Sequence, residues 1–315
     1  MAASNKKHTQ STLTKKLRAW LALSRVPFLS VGVLPFILGS LLARRHSGTI
    51  HYAIAAWGTV GVVLIMLATY YAGEYWDYLE DTISGRMGGS RFAGGSQVLQ
   101  RGLLPRHTAL WASLVSLALA LGVGLILWLG YKTGPWTIPF GIIGIAGGFF
   151  YSTRPLRWVT RGWGELWIAF CYGWLPVAVG YYLQIGAIEK LIHWIAVPIG
   201  LTIFNVILLN EFPDYQADLS AGKKNLTVRL GKIKTAILYS VIAAATWIAV
   251  VLSIMFGIPA QILLFYLPVF ILSLILVVHM MRGHWQNRSL LEKLCAANLI
   301  VNLGTTASYI FVFAG

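Results

Sequence analysis

Acid is what this chain has least of. Ten Asp and Glu residues stand among 315, against 25 Lys and Arg, and charged residues of both signs make up only 11%. With 57% hydrophobic residues and a mean hydropathy of +0.70, that scarcity excludes a water-soluble globule. Cysteine is nearly missing as well. Cys171 and Cys295, both in apolar surroundings, offer neither a disulfide framework nor metal-ligand spacing. The seven histidines are scattered without a ligand pattern. The chain does not open on a signal peptide, since its first apolar run is too long and shows no clear cleavage site. A net charge of +15 would suit nucleic acid in a soluble protein, but here the basic residues follow membrane topology, so no nucleic-acid partner is expected.

What the chain has in abundance is long apolar runs. Stretches of about 18 or more such residues recur throughout and predict an all-α integral membrane protein. Nine transmembrane helices are expected around a central cavity, at about 20–43, 52–76, 109–130, 135–152, 163–184, 191–211, 236–257, 260–280 and 294–313. Pro27 and Pro35 in the first span and Pro176 in the fifth predict kinks. Residues 1–19 read as a basic, disordered cytoplasmic tail and 20–315 as a single membrane domain. With the amino terminus inside, only Arg44, Arg45, Lys132 and Lys190 of the 25 basic residues fall outside. That asymmetry orients the chain by the positive-inside rule, in the plasma membrane of a prokaryote with lipid around it. Long cytoplasmic loops are expected after the second helix, at about 77–107, and after the sixth, at about 212–235. Loops of that length in a compact domain are commonly functional.

The few acids are concentrated where those loops begin. Glu74 to Asp81 reads E-Y-W-D-Y-L-E-D and Glu211 to Asp218 reads E-F-P-D-Y-Q-A-D, so seven of the ten acids fall in two clusters of one pattern. At about 100° per residue, Glu74, Asp77 and Asp81 share one helix face, with Glu80 peripheral. In the second cluster Pro213 interrupts that argument. A carboxylate at bilayer depth costs roughly 2.5–3.5 kcal/mol on insertion scales, so such acids are functional by default. Mg²⁺ takes oxygen ligands and is usually held by one or two carboxylates plus substrate phosphates. Two carboxylate ledges on one membrane face therefore suit Mg²⁺ ions held against a diphosphate. The candidate metal ligands are Glu74, Asp77, Asp81, Glu211, Asp214 and Asp218, and the four aspartates are ranked first as catalytic.

Diphosphate also calls for cations. Arg91, Arg154, Lys223, Lys224 and Arg229 all lie inside, the first in a glycine-bearing loop, and serve as candidate substrate ligands. Arg157 lies in the same segment as Arg154, Y-S-T-R-P-L-R. For most of these cations topology signalling or lipid contact is the plainer explanation, but Arg91 and Lys223 stand out, each within about ten residues of an acidic cluster in a glycine-bearing loop. Tyr151, just before the basic segment, joins Tyr70, Tyr71, Tyr75 and Trp76 beside the first acids. Aromatic faces stabilise cations by roughly 0.5–2 kcal/mol, which would suit an allylic carbocation.

These residues together carry a resemblance. The paired aspartate-rich motifs, the Y-S-T-R-P segment and the nine expected spans look like the UbiA superfamily of intramembrane prenyltransferases, over nearly the whole chain. The resemblance implies Mg²⁺-dependent transfer of an isoprenyl group from its diphosphate to an aromatic or other lipophilic acceptor. The family's first motif, commonly N-D-x-x-D-x-x-x-D, falls on Gly73, Glu74, Asp77 and Asp81, with the asparagine absent and glutamate as first acid. The segment N-E-F-P-D-Y-Q-A-D, followed by G-K-K-N-L-T-V-R-L-G, is similar to the menaquinone-pathway branch, which implies 1,4-dihydroxy-2-naphthoate as acceptor. Alternatives are an ion-coupled secondary transporter, another acceptor, or a terpene cyclase using the same diphosphate site.

Overall fold

The structure, a computed structural model, describes residues 14–314. Every regular element among them is helical. Eight helices are long and apolar enough to cross a membrane, and Thr137–Ser152 is apolar but shorter. The chain is an integral multi-pass membrane protein.

The first span starts earlier than expected. Helix α1 occupies residues 14–23, so residues 14–19 of the expected tail are helical, while 1–13 lie outside the described residues. The chain then breaks at Arg25, passes through a 3-10 turn over Val26–Leu29, and enters α2, Ser30–Ser47. Pro27, expected to kink a helix, sits at the start of that turn, where its missing N–H costs nothing. After α2 come α3 (Tyr52–Trp76), the short α4 (Tyr78–Arg86), α5 (Arg106–Leu125) and α6 (Thr137–Ser152). Near Pro176 the predicted kink takes the form of a π-helical turn. Helix α7 (Gly164–Ala169) runs through Phe170–Trp174 into α8, Leu175–Ile185.

The second acidic cluster corrects the sequence reading most. Helix α9 does not end near Glu211 but runs unbroken through Pro213, over Lys190–Ser220. Proline at 213 removes the N–H that would bond the Leu209 carbonyl. The Cys295 thiol faces that carbonyl at 3.8 Å and donates to it instead. The expected loop is therefore mostly helix: α9 reaches Ser220, α10 spans Leu226–Leu230, and α11 spans Lys232–Ser253. Helices α12 (Ile262–Met281) and α13 (Arg288–Ala314) complete the chain.

Lipid is as apolar as leucine, so close packing and interhelical hydrogen bonds hold such a bundle together. A Cβ at Gly39 would lie 2.1 Å from the Val177 carbonyl oxygen, and one at Gly180 2.2 Å from that of Phe36. Glycine thus lets α2 and α8 touch backbone to backbone. Helices α9, α11 and α13 are joined by polar bonds instead. Asn205 donates to the Tyr239 carbonyl, Asn298 to that of Asn205, and Tyr239 returns its hydroxyl to Asn298 Oδ1 at 2.9 Å. Bonds of this kind contribute about 0.6 kcal/mol each in bundles. The result leaves the C-terminal ends of α3 and α9 facing one another around a chamber at one end of the bundle.

Candidate active site

Asp77 and Asp81 from the first cluster and Glu211, Asp214 and Asp218 from the second line a single chamber, with Tyr151 and Lys223. Its cavity volume is about 230 Å³, room for a diphosphate. The two ledges, 137 positions apart in sequence, are brought together because α3 ends at Trp76 and turns at Asp77 into α4. Helix α4 then lies against α9. Ser84 on α4 donates to Asp214 Oδ1 at 2.5 Å and ties the ledges to each other.

Each carboxylate has its own partners. Asp77 accepts from Ser152 Oγ at 2.6 Å and from Arg157 Nη2 at 2.9 Å. The same guanidinium reaches Glu80 at 2.5 Å, away from the chamber lining. Asp218 accepts from Asn225 Nδ2 at 2.8 Å and pairs with Lys223 Nζ at 3.1 Å. Asp81 is 7% exposed, and among the described residues its carboxylate has no hydrogen-bonding or ionic partner. Burial, then the charges of Asp77 and Glu74, push its carboxyl well above the usual range, against the pull of Lys223 and Arg25. Burial works against the charged form of Lys223, but Asp77, Asp218 and Asp81 hold its ammonium above its ordinary value. For Arg157, burial is likewise outweighed by hydrogen bonds to Glu80 and Asp77.

The leading glutamate of each cluster is tied to the backbone of a neighbouring segment. Glu74, 1% exposed, does not line the chamber. It accepts from Arg25 at 3.0 Å, from the Ser96 amide at 2.6 Å and from the Ser96 hydroxyl at 2.8 Å, anchoring the loop that follows α4 to the break in the first span. Glu211 accepts from the Thr227 amide at 3.0 Å, and Glu165, unremarked in the sequence, accepts from the next amide back, Leu226, at 2.7 Å. Together they fasten the start of α10 and, with it, the Lys223–Asn225 segment. The anchored loop lays Gly94 and Gly95, both at positive φ, across the ledges. A Cβ at Gly95 would sit 2.2 Å from Asp81 Oδ2.

The cations sort unevenly. Lys223 enters the chamber; Arg91, Arg154, Lys224 and Arg229 do not line it. Arg91 opens with Arg101 and Arg288 onto an outer cleft that shares Arg25, Phe28, Ala93 and Gly95 with the chamber. Arg154 and Lys224 are exposed. Arg229 staples backbone instead, donating to the carbonyls of Lys224 and Arg161. The guanidinium groups at the site belong to Arg157 and to Arg25, which also lines the chamber. Both residues hold the left-handed backbone conformation, φ 44° and 45°, a strain that recurs where a side chain must be aimed. An arginine beside an apolar run is the signal that marks Arg25 in the sequence. Nothing in the sequence separates Arg157 from Arg154.

A cation fits this chamber. Asp81 is buried and unpartnered, and Asp214 faces a hydroxyl rather than a counter-charge. No three His, Cys, Asp or Glu side chains among the described residues form a metal cluster by themselves, so the expected convergence of Glu74 with Asp77 and Asp81 is not seen. One or two carboxylates completed by substrate phosphates is the mode that suits Mg²⁺.

The chain matches the UbiA prenyltransferase family over residues 32–300. It is 25% identical over 285 residues to the 1,4-dihydroxy-2-naphthoate octaprenyltransferase of Bacillus subtilis, covering 90% of this chain and 86% of that one. To the protein of that name from Mycobacterium tuberculosis it is 29% identical over 221 residues, 70% and 72% of the two chains. Its fold is similar to that of a UbiA homolog from Archaeoglobus fulgidus solved with GPP and Mg²⁺, with a TM-score of 0.64 at 16% identity, covering 94% and 100%.

Proposed function

The chain belongs to the UbiA prenyltransferase family, and from that premise we propose that it transfers an isoprenyl group from an isoprenyl diphosphate to 1,4-dihydroxy-2-naphthoate, in menaquinone biosynthesis, with Mg²⁺. The observation that carries the reading is the pair of carboxylate ledges lining one chamber, with Lys223 in the lining on Asp218 and Arg157 held against Asp77 of the first ledge. The naphthoate acceptor rests on the names of the two bacterial relatives.

Asp77, Asp81, Asp214 and Asp218 would hold the metal, with Glu211 at the edge of the set and Glu74 anchoring the loop. Bound Mg²⁺ supplies charge neutralisation for the departing diphosphate. Lys223, Arg157 and Arg25 add donors to phosphate oxygens. Tyr151, with Tyr70 and Tyr172 beyond it in the lining, presents aromatic faces to an allylic cation and keeps water from it. The carboxylates serve the metal and do not attack the substrate. The acceptor supplies the nucleophilic carbon and then loses its carboxyl group or a proton.

Purified protein incubated with isoprenyl diphosphates and a panel of aromatic acids should release diphosphate only with Mg²⁺, and mass spectrometry should find prenylated naphthoate. Product on other acids alone would move the acceptor; uptake into vesicles without diphosphate release would replace the enzyme with a transporter. In the proposed orientation the chamber and the amino terminus face the cytoplasm of a prokaryotic cell. A membrane-impermeant maleimide should therefore label Lys224→Cys in inside-out vesicles and spare it in right-side-out ones.

A further inference from the structure

A prenylated product is apolar and leaves into lipid, but the diphosphate shed with it is multiply charged and must reach water. The chamber's own cations are already engaged, Arg157 with Asp77 and Glu80 and Lys223 with Asp218. Beside the chamber lies the outer cleft, with a cavity volume of about 850 Å³. Four arginines line it, Arg25, Arg91, Arg101 and Arg288, against a single acid, Glu292.

That acid is turned to backbone, accepting from the Arg91 amide at 3.3 Å. Arg288 donates to the carbonyls of Met87, at 2.7 Å, and of Gly89, and Arg25 is paired with Glu74. Arg91 and Arg101 differ from both. They are exposed, and neither side chain has a salt-bridge partner among the described residues. Two such guanidinium groups in one cleft make a well of positive potential suited to phosphate oxygens.

The wall between cleft and chamber is one backbone thick. Gly95 lines both, and a Cβ there would lie 2.2 Å from Asp81 Oδ2. A Cβ at Gly94 would lie 3.2 Å from Asp214 Oδ1. Both residues hold positive φ, 72° and 67°, which glycine adopts at no steric cost, so bare backbone rests on the two ledges. The flanks of this segment are fastened. Arg288 and Glu292 hold residues 87–91 to the start of α13. On the other side Glu74 holds Ser96, and Gln97 Nε2 donates to the Asp81 carbonyl at 2.8 Å.

We propose that the outer cleft is a second phosphate site, through which inorganic diphosphate passes between the chamber and water, received by Arg91 and Arg101 as the Gly94–Gly95 segment yields. This deepens the transferase reading and rests on it for the identity of the anion. A phospholipid headgroup offers the same phosphate chemistry, but the lining shared with the chamber favours the free anion. Cations placed along a path, rather than at the bound position, speed entry and departure alike and leave the affinity unchanged.

Radiolabelled inorganic diphosphate, with Mg²⁺ and the protein in nanodiscs of neutral phospholipid, gives association and dissociation rates by rapid filtration. The double variant Arg91→Gln/Arg101→Gln should slow both about tenfold, the low end of electrostatic steering, and keep Kd within about twofold. High salt should shrink the gap between native protein and variant. The control Arg154→Gln/Lys224→Gln removes two exposed cations outside the cleft and should change neither rate. Native rates in the cleft variant, equal slowing in the control, or a Kd that rises with dissociation unchanged would each overturn the proposal, while the binding itself keeps the transferase reading. So would native rates that fall to the variant's when anionic phospholipid is added to the nanodiscs, since the cleft would then hold a headgroup. If the native protein binds no diphosphate at all, the transferase reading fails, and the cleft proposal with it.

Discussion

Replacing Asp81 by Asn separates the electrostatics of the site from its packing. Asp77 faces Arg157 and Asp218 faces Lys223, whereas Asp81 and Asp214 have no direct salt bridge among the described residues. Burial, then Asp77 and Glu74, raise the Asp81 carboxyl above its ordinary value. An acid raised in this way contributes stability in full below its unfolded value of about 3.9, and loses it as pH rises through the raised value. At pH 7.5, far above the unfolded value, an aspartate in this position therefore destabilises the metal-free fold relative to a neutral side chain. The near-isosteric Asp81→Asn should melt above the native protein in EDTA at that pH, with the gap closing toward pH 4. Mg²⁺ should reverse the order. A ligand at a hundred times its Kd stabilises the folded state by about 2.7 kcal/mol, roughly 5–11 °C for a chain of this size at 2–4 °C per kcal/mol. The variant, lacking one of the two chamber aspartates free of a salt bridge, should keep less than half of that shift. Thermal unfolding in detergent, followed by fluorescence of the 13 tryptophans, reads both effects. A variant that melts below the native protein in EDTA at pH 7.5, or that gains as much from Mg²⁺, would refute the reasoning.

Arg157→Ala should weaken isoprenyl diphosphate binding by about ten- to a hundredfold, because charge-assisted hydrogen bonds are worth roughly 1.5–3 kcal/mol. Arg154→Ala should leave it unchanged, and titration calorimetry with a non-reactive diphosphate analogue compares the two. Gly95→Ala places a methyl 2.2 Å from Asp81 Oδ2 at a φ of +67°, so the loop or the Asp81 carboxylate must shift. Turnover should fall at least tenfold, and the Mg²⁺ concentration for half-maximal rate should rise; an unchanged Mg²⁺ requirement would show that the loop does not bear on the site.

Most of the helical architecture was legible because lipid forces it: a backbone that must satisfy its own hydrogen bonds over about 20 residues leaves a long apolar run as its mark. What misled were the ends. Pro213 read as a helix stop because in water proline inside a helix usually is one. Here the helix passes through it, with the carbonyl left open at Leu209 taken by a thiol 86 residues away, a contact with no local signature. The break at Arg25 was hidden for the opposite reason, since apolar residues continue on both sides of it and hydropathy does not register a turn.

The site was legible to the extent that its chemistry is costly. Carboxylates near a membrane are expensive enough that their clustering carries information, and the four aspartates follow from it. The glutamates at the head of each repeat were grouped with them by spacing alone. Yet spacing fixes only the direction in which a side chain leaves its helix, not what meets it there. Glu74 leaves α3 toward Arg25 and the loop at Ser96, and Glu211 leaves α9 toward the start of α10. The cations were less legible, because lysine and arginine at a membrane face are cheap and serve topology as readily as substrate. Arg154 and Arg157 stand three residues apart in one basic segment, and the turn between them decides which meets Asp77. The same reasoning separates the two kinds of glycine. Gly94 and Gly95 sit in a recognisably glycine-rich loop, whereas Gly39 lies within an apolar helix, where a glycine that a close backbone approach requires reads like any other small residue. Only the 2.1 Å from its Cβ position to the Val177 carbonyl oxygen shows why it is there.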